Sequence, residues 1–193
     1  MAAPTDALAH SLTHPHTKSQ VARVIKAHET IGEERQIFYV ELGGFDSHAS
    51  EQTQVQWKFG EIDAALAAFT EEMKAQGRWD ETVVLTASDF GRTLGSNGAG
   101  TDHAWGGNYL LLGGALNGSQ MLGKYPDSLN ESSSVNIGRN HRILPTTPWE
   151  AVWSGLATWF GVAPSQLAEV LPNAANFPPE QLLTVQQLFS DQG

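Results

Sequence analysis

Three short polar motifs hold most of the side chains in this sequence that can do chemistry. They are Gly43-Gly44-Phe45-Asp46-Ser47-His48, Ser88-Asp89-Phe90-Gly91-Arg92-Thr93 and Gly100-Thr101-Asp102-His103-Ala104-Trp105-Gly106-Gly107. Asp46, His48, Asp89, Asp102 and His103 supply carboxylate oxygens and imidazole nitrogens, the donor set of zinc, manganese and similar divalent ions. Asp102 has a second reading, as the partner that orients a ligand histidine. For Asp46 and Asp89 the bland reading is a polar turn in which the carboxylate bonds nearby backbone. Arg92 can grip an anionic oxygen through paired N–H groups, or pair with Asp89 or Asp102. Trp105, inside a glycine-rich loop, is expected at a pocket wall. The chain has no cysteine, so disulfides and thiolate-bound zinc are excluded.

The elements that must position these motifs can be read from periodicity. Gln36–Leu42 and Thr82–Ala87 are short, apolar and rich in β-branched residues, which predicts buried strands. Between them Val55, Phe59, Ile62, Leu66, Phe69 and Met73 recur at helical spacing, predicting a helix from Thr53 to Gln76 that ends at Gly77. Strand, helix, strand of this length predicts a parallel crossover. Asp46 and Asp89 then lie just beyond strand carboxyl ends, where ligands bind in such sheets. Gly91–Gly107 carries six glycines and reads as a functional loop. Tyr109–Leu112 is a third strand candidate, and a hairpin is expected around Val135–Ile143. Thr147 as cap and Pro148 as first helical residue open a helix with Trp149, Val152, Trp153, Leu156, Trp159 and Phe160 on its apolar face. Short helices are expected at Pro164–Leu171 and Gln181–Phe189. Upstream, Val21, Val24, Ile25 and His28 share one face of a helix over Thr17–Thr30, with His28 packed rather than functional. His10, His14 and His16 read as a solvated segment. The predicted fold is α/β, a mainly parallel sheet with helices on both faces, with residues 1–16 poorly ordered and 17–193 one domain.

Composition narrows the function classes. The chain has 193 residues, 40% of them hydrophobic, and a formal charge of −10, which suits a globular domain. That charge disfavours nucleic acid, whose phosphates need clustered Lys and Arg, and anionic membrane surfaces. An anionic substrate is still compatible, because a bound metal ion reverses the local sign. No apolar run approaches the roughly 18–20 residues of a membrane span, and no signal peptide is visible. A soluble protein is expected.

GGFDSH, SDFGRT, GTDHAWGG and the later LPTTPWEAVWSGLATWFGV segment together resemble a bacterial family known only as a domain of unknown function, placed in the alkaline phosphatase and sulfatase superfamily. The resemblance runs from about Ile37 to Phe177. It implies an α/β sandwich with its site at the strand ends, holding two divalent metals and a Ser, Thr or formylglycine nucleophile. By motif, Asp46 and His48 look like the donors of one metal, Asp89 like the aspartate of the other, and His103 like the last metal histidine, with Asp102 beside it. The sequence departs from the superfamily pattern in three ways. The spacing Asp46-x-His48 is narrow, and Phe90 stands where many members have a histidine. The upstream strand bearing the nucleophile is missing, so the chain resembles the C-terminal half of a longer member.

Three readings follow, in different classes. The first is a metal-dependent hydrolase of phosphate or sulfate esters, acting on a small-molecule ester. Zinc or manganese is its metal, with magnesium and calcium as further candidates, and His103 and Arg92 are its catalytic groups. The second is a non-catalytic metal-binding or assembly module. The third is a metal-free serine esterase using Ser47 or Ser88, disfavoured because no G-x-S-x-G elbow is present. Strands lacking their upstream neighbours would expose edges that recruit another chain, so a homo-oligomer is expected.

Overall fold

The structure, a computed structural model, describes residues 11–12 and 17–190. The expectation for residues 1–16 falls, apart from Ser11 and Leu12, outside the described residues, as do His10, His14 and His16. The chain divides into two compact units, Met1–Trp79 and Asp80–Gly193.

In the first unit β1 (Ser11–Leu12) precedes α1 (Thr17–Lys26) and α2 (His28–Ile31). Gly32 stops α2 at φ 80, and its N–H donates to the His28 carbonyl at 2.8 Å. A left-handed residue is needed there, which is why glycine suits the position. β2 (Tyr39–Val40) leads to the GGFDSH motif and then to α3 (Glu51–Ala75). The more covered residues of α3 include Val55, Lys58, Ile62, Leu66, Phe69 and Met73, spaced three or four apart as a single helix face requires. Phe59 drops off that face and is 57% exposed. The C-terminal end of α3 is tied to α1: Gln76 donates through Nε2 to the Ala22 carbonyl at 3.1 Å. His28 is packed, as its spacing suggests. Its Nδ1 lies 3.0 Å from the Ile25 carbonyl oxygen and its Nε2 2.8 Å from an Arg78 guanidinium nitrogen. Nδ1 therefore donates and Nε2 accepts, since a guanidinium can only donate.

A 3-10 turn over Trp79–Glu81 spans the boundary, and β3 (Val83–Leu85) is the first strand of the second unit. The unit continues through β4 (Gly91–Arg92), β5 (His103–Ala104), β6 (Leu111–Gly113), β7 (Asn136–Ile137) and β8 (Arg142–Ile143). β3 pairs antiparallel with β6, β4 with β5, and β7 with β8. The last pair is the hairpin expected around Val135–Ile143. α4 (Trp149–Trp159), α5 (Leu167–Val170) and α6 (Val185–Leu188) follow, joined by 3-10 turns. Pro148, not Thr147, sits at the N-cap of α4. The Thr147 hydroxyl instead accepts from the Lys124 N–H at 2.8 Å. α6 starts in a reciprocal cap: the Thr184 hydroxyl accepts from the Gln187 N–H, and the Gln187 side chain accepts from the Thr184 N–H.

The protein is thus mixed α/β with two-stranded sheets, and the expected mainly parallel sheet is corrected. Among the described residues the parallel pairing is β1 with β2, two residues long. β3, expected to lie in a parallel crossover, pairs antiparallel with β6 in the register Val83↔Gly113, Val84↔Leu112, Leu85↔Leu111. The reason is long-range packing. Leu85 and Leu111 lie against the buried cluster of Ala115, Leu156, Leu188 and Phe189, and strand residues choose partners by burial as much as by local pattern. Close approach of the strands also needs Gly113, where a Cβ would stand 2.5 Å from the Thr82 carbonyl oxygen. Trp159 stacks on Phe189 with ring centroids 4.9 Å apart, which ties α4 to the residue after α6. Trp153, expected in the core from its helical spacing, is 41% exposed. Among the described residues no helix is long and apolar enough to cross a membrane.

Leu188 is 1% exposed at the centre of this cluster. Leu188→Ala should cost about 2–5 kcal/mol, the range for a buried leucine that leaves a cavity. Gly155→Ala should cost about 1–3 kcal/mol, because its new methyl would run into Leu188. Trp153→Ala should cost clearly less than Leu188→Ala. Denaturant titrations of the three variants followed by circular dichroism give the ranking, and the reverse order would relocate the core.

Candidate functional site

The Asp46–His48 pair belongs to the first unit. Glycine is required just upstream: Gly44 has φ +91, and a Cβ there would stand 2.9 Å from Lys58 Cε. The chain can therefore turn tightly against α3 and present Asp46 and His48 at its surface. Ser47 between them is buried and its hydroxyl has no partner among the described residues. His48 Nε2 lies 3.1 Å from Asp46 Oδ1, and both side chains are more than half exposed. Two donors each about 2.1 Å from one ion stand about 3.0–3.4 Å apart in octahedral or tetrahedral geometry. The Asp46–His48 spacing therefore fits two ligands of a single divalent ion. Both groups are reachable from solvent.

Asp89, Arg92, Asp102, His103 and Trp105 belong to the second unit, and the β4–β5 hairpin sets most of their positions. Its register places Arg92 opposite His103 and Gly91 opposite Ala104. A Cβ on Gly91 would run into the Gly106 carbonyl oxygen, and one on Gly106 would stand 2.8 Å from that of Ile143. The Gly106 N–H donates to that same Ile143 oxygen at 2.7 Å, and the Arg142 Nε to the His103 carbonyl at 3.2 Å. Gly91 and Gly106 are thus points where backbone meets backbone. The expected loop is a hairpin laid against β8.

Phe90 and His103 stack with centroids 4.1 Å apart and planes 16° from parallel. The Arg92 guanidinium carbon lies 5.0 Å from the Phe90 centroid, within cation–π range, and Arg92 Nη1 donates to the Thr101 carbonyl at 3.0 Å. One phenyl ring therefore holds an imidazole and a guanidinium near each other. His103 is exposed and Arg92 half-buried, a setting in which both can meet an anionic ligand.

Asp102 is placed differently. Its Oδ1 accepts from Asn97 Nδ2 at 2.9 Å, and its Oδ2 from Asn140 Nδ2 at 3.4 Å. Its backbone N–H donates to the buried Thr93 hydroxyl at 3.0 Å, and the Thr93 N–H returns a bond to its carbonyl at 3.0 Å. This carboxylate clasps the hairpin. Thr93, Asn97 and Asn140 were missed by sequence reasoning; the Asn97-Gly98 turn signal was available, whereas nothing local ties Asn140 to residue 102. Trp105 is 64% exposed, an indole held out from the hairpin. Ser88 donates its hydroxyl to the Phe90 carbonyl at 2.9 Å, closing a local turn. His141, φ 55, pairs with Glu131 at 3.1 Å.

Tyr109 joins this neighbourhood, although the sequence pointed to it only as a strand residue. It packs on Trp149 at 4.5 Å between centroids. Burial first, and the negative charge of Asp89 second, raise its pKa above the ordinary 10.0. It thus stays a neutral hydrogen-bond donor throughout the physiological range.

The family described as "Protein of unknown function (DUF1501)" matches residues 2–138. No curated protein and no solved structure matches the chain.

Two outcomes follow. Because the phenol's folded pKa is raised, its contribution to stability is fully present below pH 10.0 and is lost as pH rises through the folded value. Phenolate absorbance, read as the difference between wild type and Tyr109→Phe, should show Tyr109 ionising above 10.0. Asp89→Asn should lower that midpoint only partly, since burial is the larger cause; a full return would reverse the order of causes. Asp102→Ala should cost about 1–3 kcal/mol by stranding its amide partners. It should also speed hydrogen exchange at the N–H groups of Thr93, Leu94 and Gly95. Unchanged exchange there would mean the clasp does not hold the hairpin.

Proposed function

The chain belongs to the DUF1501 family, and from the donor chemistry of its three motifs we propose that it is a metal-dependent hydrolase of phosphate or sulfate esters. The resemblance of those motifs to the alkaline phosphatase and sulfatase superfamily supports the same reading. The single observation that carries it is the Asp46–His48 pair, a carboxylate and an imidazole 3.1 Å apart on an exposed turn, spaced as two ligands of one ion. In the second unit, Asp89 and His103 are the proposed donors. Asp102, clasped by two amides, is proposed as the group that keeps the hairpin and hence His103 in place. Zinc and manganese match the mixed oxygen and nitrogen donors best; magnesium and calcium, which take oxygen ligands, match less well.

A divalent ion held by Asp46 and His48 would supply a Lewis acid and a water of lowered pKa. The chain's own residues do the rest. Arg92 offers guanidinium N–H groups to an ester oxygen and steadies the charge that develops there. His103, fixed by its stack on Phe90, offers a ring N–H to the leaving oxygen and steadies its charge. Trp105 covers the ester's organic portion. Ser47 and Ser88 fit the metal-free esterase reading poorly: Ser88 is engaged in its own turn, and Ser47 has no histidine bonded to its hydroxyl.

A specific observation favours a second reading, an assembly module. β3 and β6 form a two-stranded sheet, and each has one further edge with no strand on it among the described residues. Such edges accept another strand, and a second copy of this chain is the proposed source.

Metal analysis and a chelator titration decide between these readings. The purified chain should bind zinc or manganese. At metal concentrations about a hundredfold above Kd it should gain about 2.7 kcal/mol of stability. Asp46→Ala and His48→Ala should each abolish most of that gain while leaving the metal-free fold unchanged. Hydrolysis of a phosphate or sulfate ester panel should stop with chelator and return with metal. Metal uptake without turnover would leave only the module. No uptake at all would end both metal readings.

A further inference from the structure

The sequence holds two Asn-Gly pairs, Asn97-Gly98 and Asn117-Gly118. In such a pair the glycine nitrogen can attack the asparagine side-chain carbon, because no Cβ on the second residue stands in the way. Whether it does depends on how the carboxamide is held. Both pairs lie in the second unit, which holds them in opposite ways. The Asn117 carboxamide is anchored through its nitrogen, which donates to the Gln186 carbonyl at 3.1 Å and to that of Phe189 at 3.0 Å. Its side chain is thereby committed to the α6 segment. The Asn97 carboxamide is turned onto its own backbone instead. Its Oδ1 accepts from the Ala99 N–H at 2.9 Å and from the Gly100 N–H at 2.8 Å. Bonds to the residues two and three ahead curl the side-chain carbon over the Gly98 nitrogen. Attack there would place negative charge on Oδ1, at which two N–H groups already point, the arrangement of an oxyanion hole. The leaving nitrogen, Nδ2, lies 2.9 Å from Asp102 Oδ1, and a carboxylate favours the positive charge that an amine takes on as it leaves. The Gly98 N–H donates to the hydroxyl of exposed Ser96 at 3.0 Å, which gives its proton a way to solvent. Asn97 and Gly98 are themselves exposed, so water reaches the pair.

We propose that Asn97 is a self-modifying residue, whose intramolecular deamidation to aspartate or isoaspartate releases the β4–β5 hairpin. The bond from Gly98 N to Asn97 Cγ forms and the Cγ–Nδ2 bond breaks. The proton given up by the Gly98 nitrogen leaves, by way of solvent, with Nδ2 as ammonia. Water then opens the cyclic imide at one of its two carbonyls: addition at Cγ gives aspartate, and addition at the main-chain carbon gives isoaspartate. Either product removes the amide that donates to Asp102 and puts a carboxylate in its place. Two carboxylates at hydrogen-bond distance repel. Asp102 is the residue that clasps the hairpin, its N–H donating to the Thr93 hydroxyl and its carbonyl accepting from the Thr93 N–H. Isoaspartate in addition inserts a methylene into the backbone of the turn that the Asn97 N–H closes on the Gly100 carbonyl at 3.0 Å. The hairpin that carries Arg92 and His103 is therefore loosened once, by a step the chain cannot reverse. The step needs neither a metal nor an ester and stands apart from the hydrolase reading.

The full chain, aged in mildly alkaline buffer with chelator, is digested and mapped by mass spectrometry, with isoaspartyl methyltransferase labelling to identify isoaspartate. Deamidation at Asn97 should outrun that at Asn117 by about tenfold or more, since only one of the two carboxamides has its oxygen held by backbone N–H groups. In denaturant the two pairs should react at similar rates, and Asn97 should react more slowly than in the folded chain. Equal rates in the folded chain, a faster Asn117, or a folded Asn97 slower than the denatured one would overturn the site. Hydrogen exchange reads the consequence. Asn97→Asp, which supplies the charge without ageing, should exchange faster than fresh wild type at the N–H groups of Thr93 and Asp102, and aged wild type should approach it. Asn97→Gln, which keeps a neutral amide but closes the larger ring far less readily, should show no change on ageing. Exchange in Asn97→Asp equal to that of fresh wild type would mean that the added carboxylate does not open the hairpin, and the proposed release would fall.

Discussion

Close approach of bare backbone organises the second unit. Where Gly91 faces the Gly106 carbonyl and Gly106 faces that of Ile143, the β4–β5 hairpin is pressed onto β8 with no side chain between them. A methyl group at either point would force the backbones apart, because a carbonyl oxygen cannot swing away as a side chain can. From that contact the rest follows. Arg92 stands opposite His103, Phe90 stacks on the imidazole, and the Arg142 side chain reaches the His103 carbonyl.

A polar clasp completes what the glycines begin. Thr93 is buried at 3% exposure, yet its hydroxyl donates to the Gly95 carbonyl at 2.9 Å and accepts from the Asp102 N–H. A buried hydroxyl with both roles filled costs little and fixes geometry. The Asp102 carboxylate joins Asn97 on its own hairpin to Asn140 in the β7–β8 turn. Asn140 and His141 both have positive φ, a conformation that asparagine tolerates better than most residues. The exposed groups that can meet a ligand, His103 and Trp105, are thus carried on a hairpin whose own polar groups are already engaged. Binding chemistry is held at the surface by satisfied polar structure beneath it.

Each unit carries its own set of polar groups. The first offers a carboxylate–imidazole pair and, folded against Gly44 beside it, the Lys58 ammonium. The second offers a stacked imidazole and a guanidinium, with a neutral tyrosine whose proton is held by burial and by Asp89. In a chain of net charge −10 the field of these cations is local and runs against the overall one.

Whatever depends on neighbours within a few residues was determined by the sequence itself. The helical period of α3, the glycine stops at Gly32, Gly77 and Gly161, all at positive φ, the β7–β8 hairpin and the donor types of the three motifs are of this kind. Propensity, capping and turn chemistry act at that range. Tertiary structure alone decided which strand pairs with which, and so replaced an expected parallel crossover by the antiparallel β3–β6 pair. It also decided that Asp102 clasps two amides, one of them 38 residues away, and that Trp153 is left half out of the core while Leu188 fills it. A strand's edge is chemically the same toward any partner, and an apolar face reads the same whatever covers it. Local pattern therefore leaves such choices open, and only the packed chain, through burial and backbone contact, closes them.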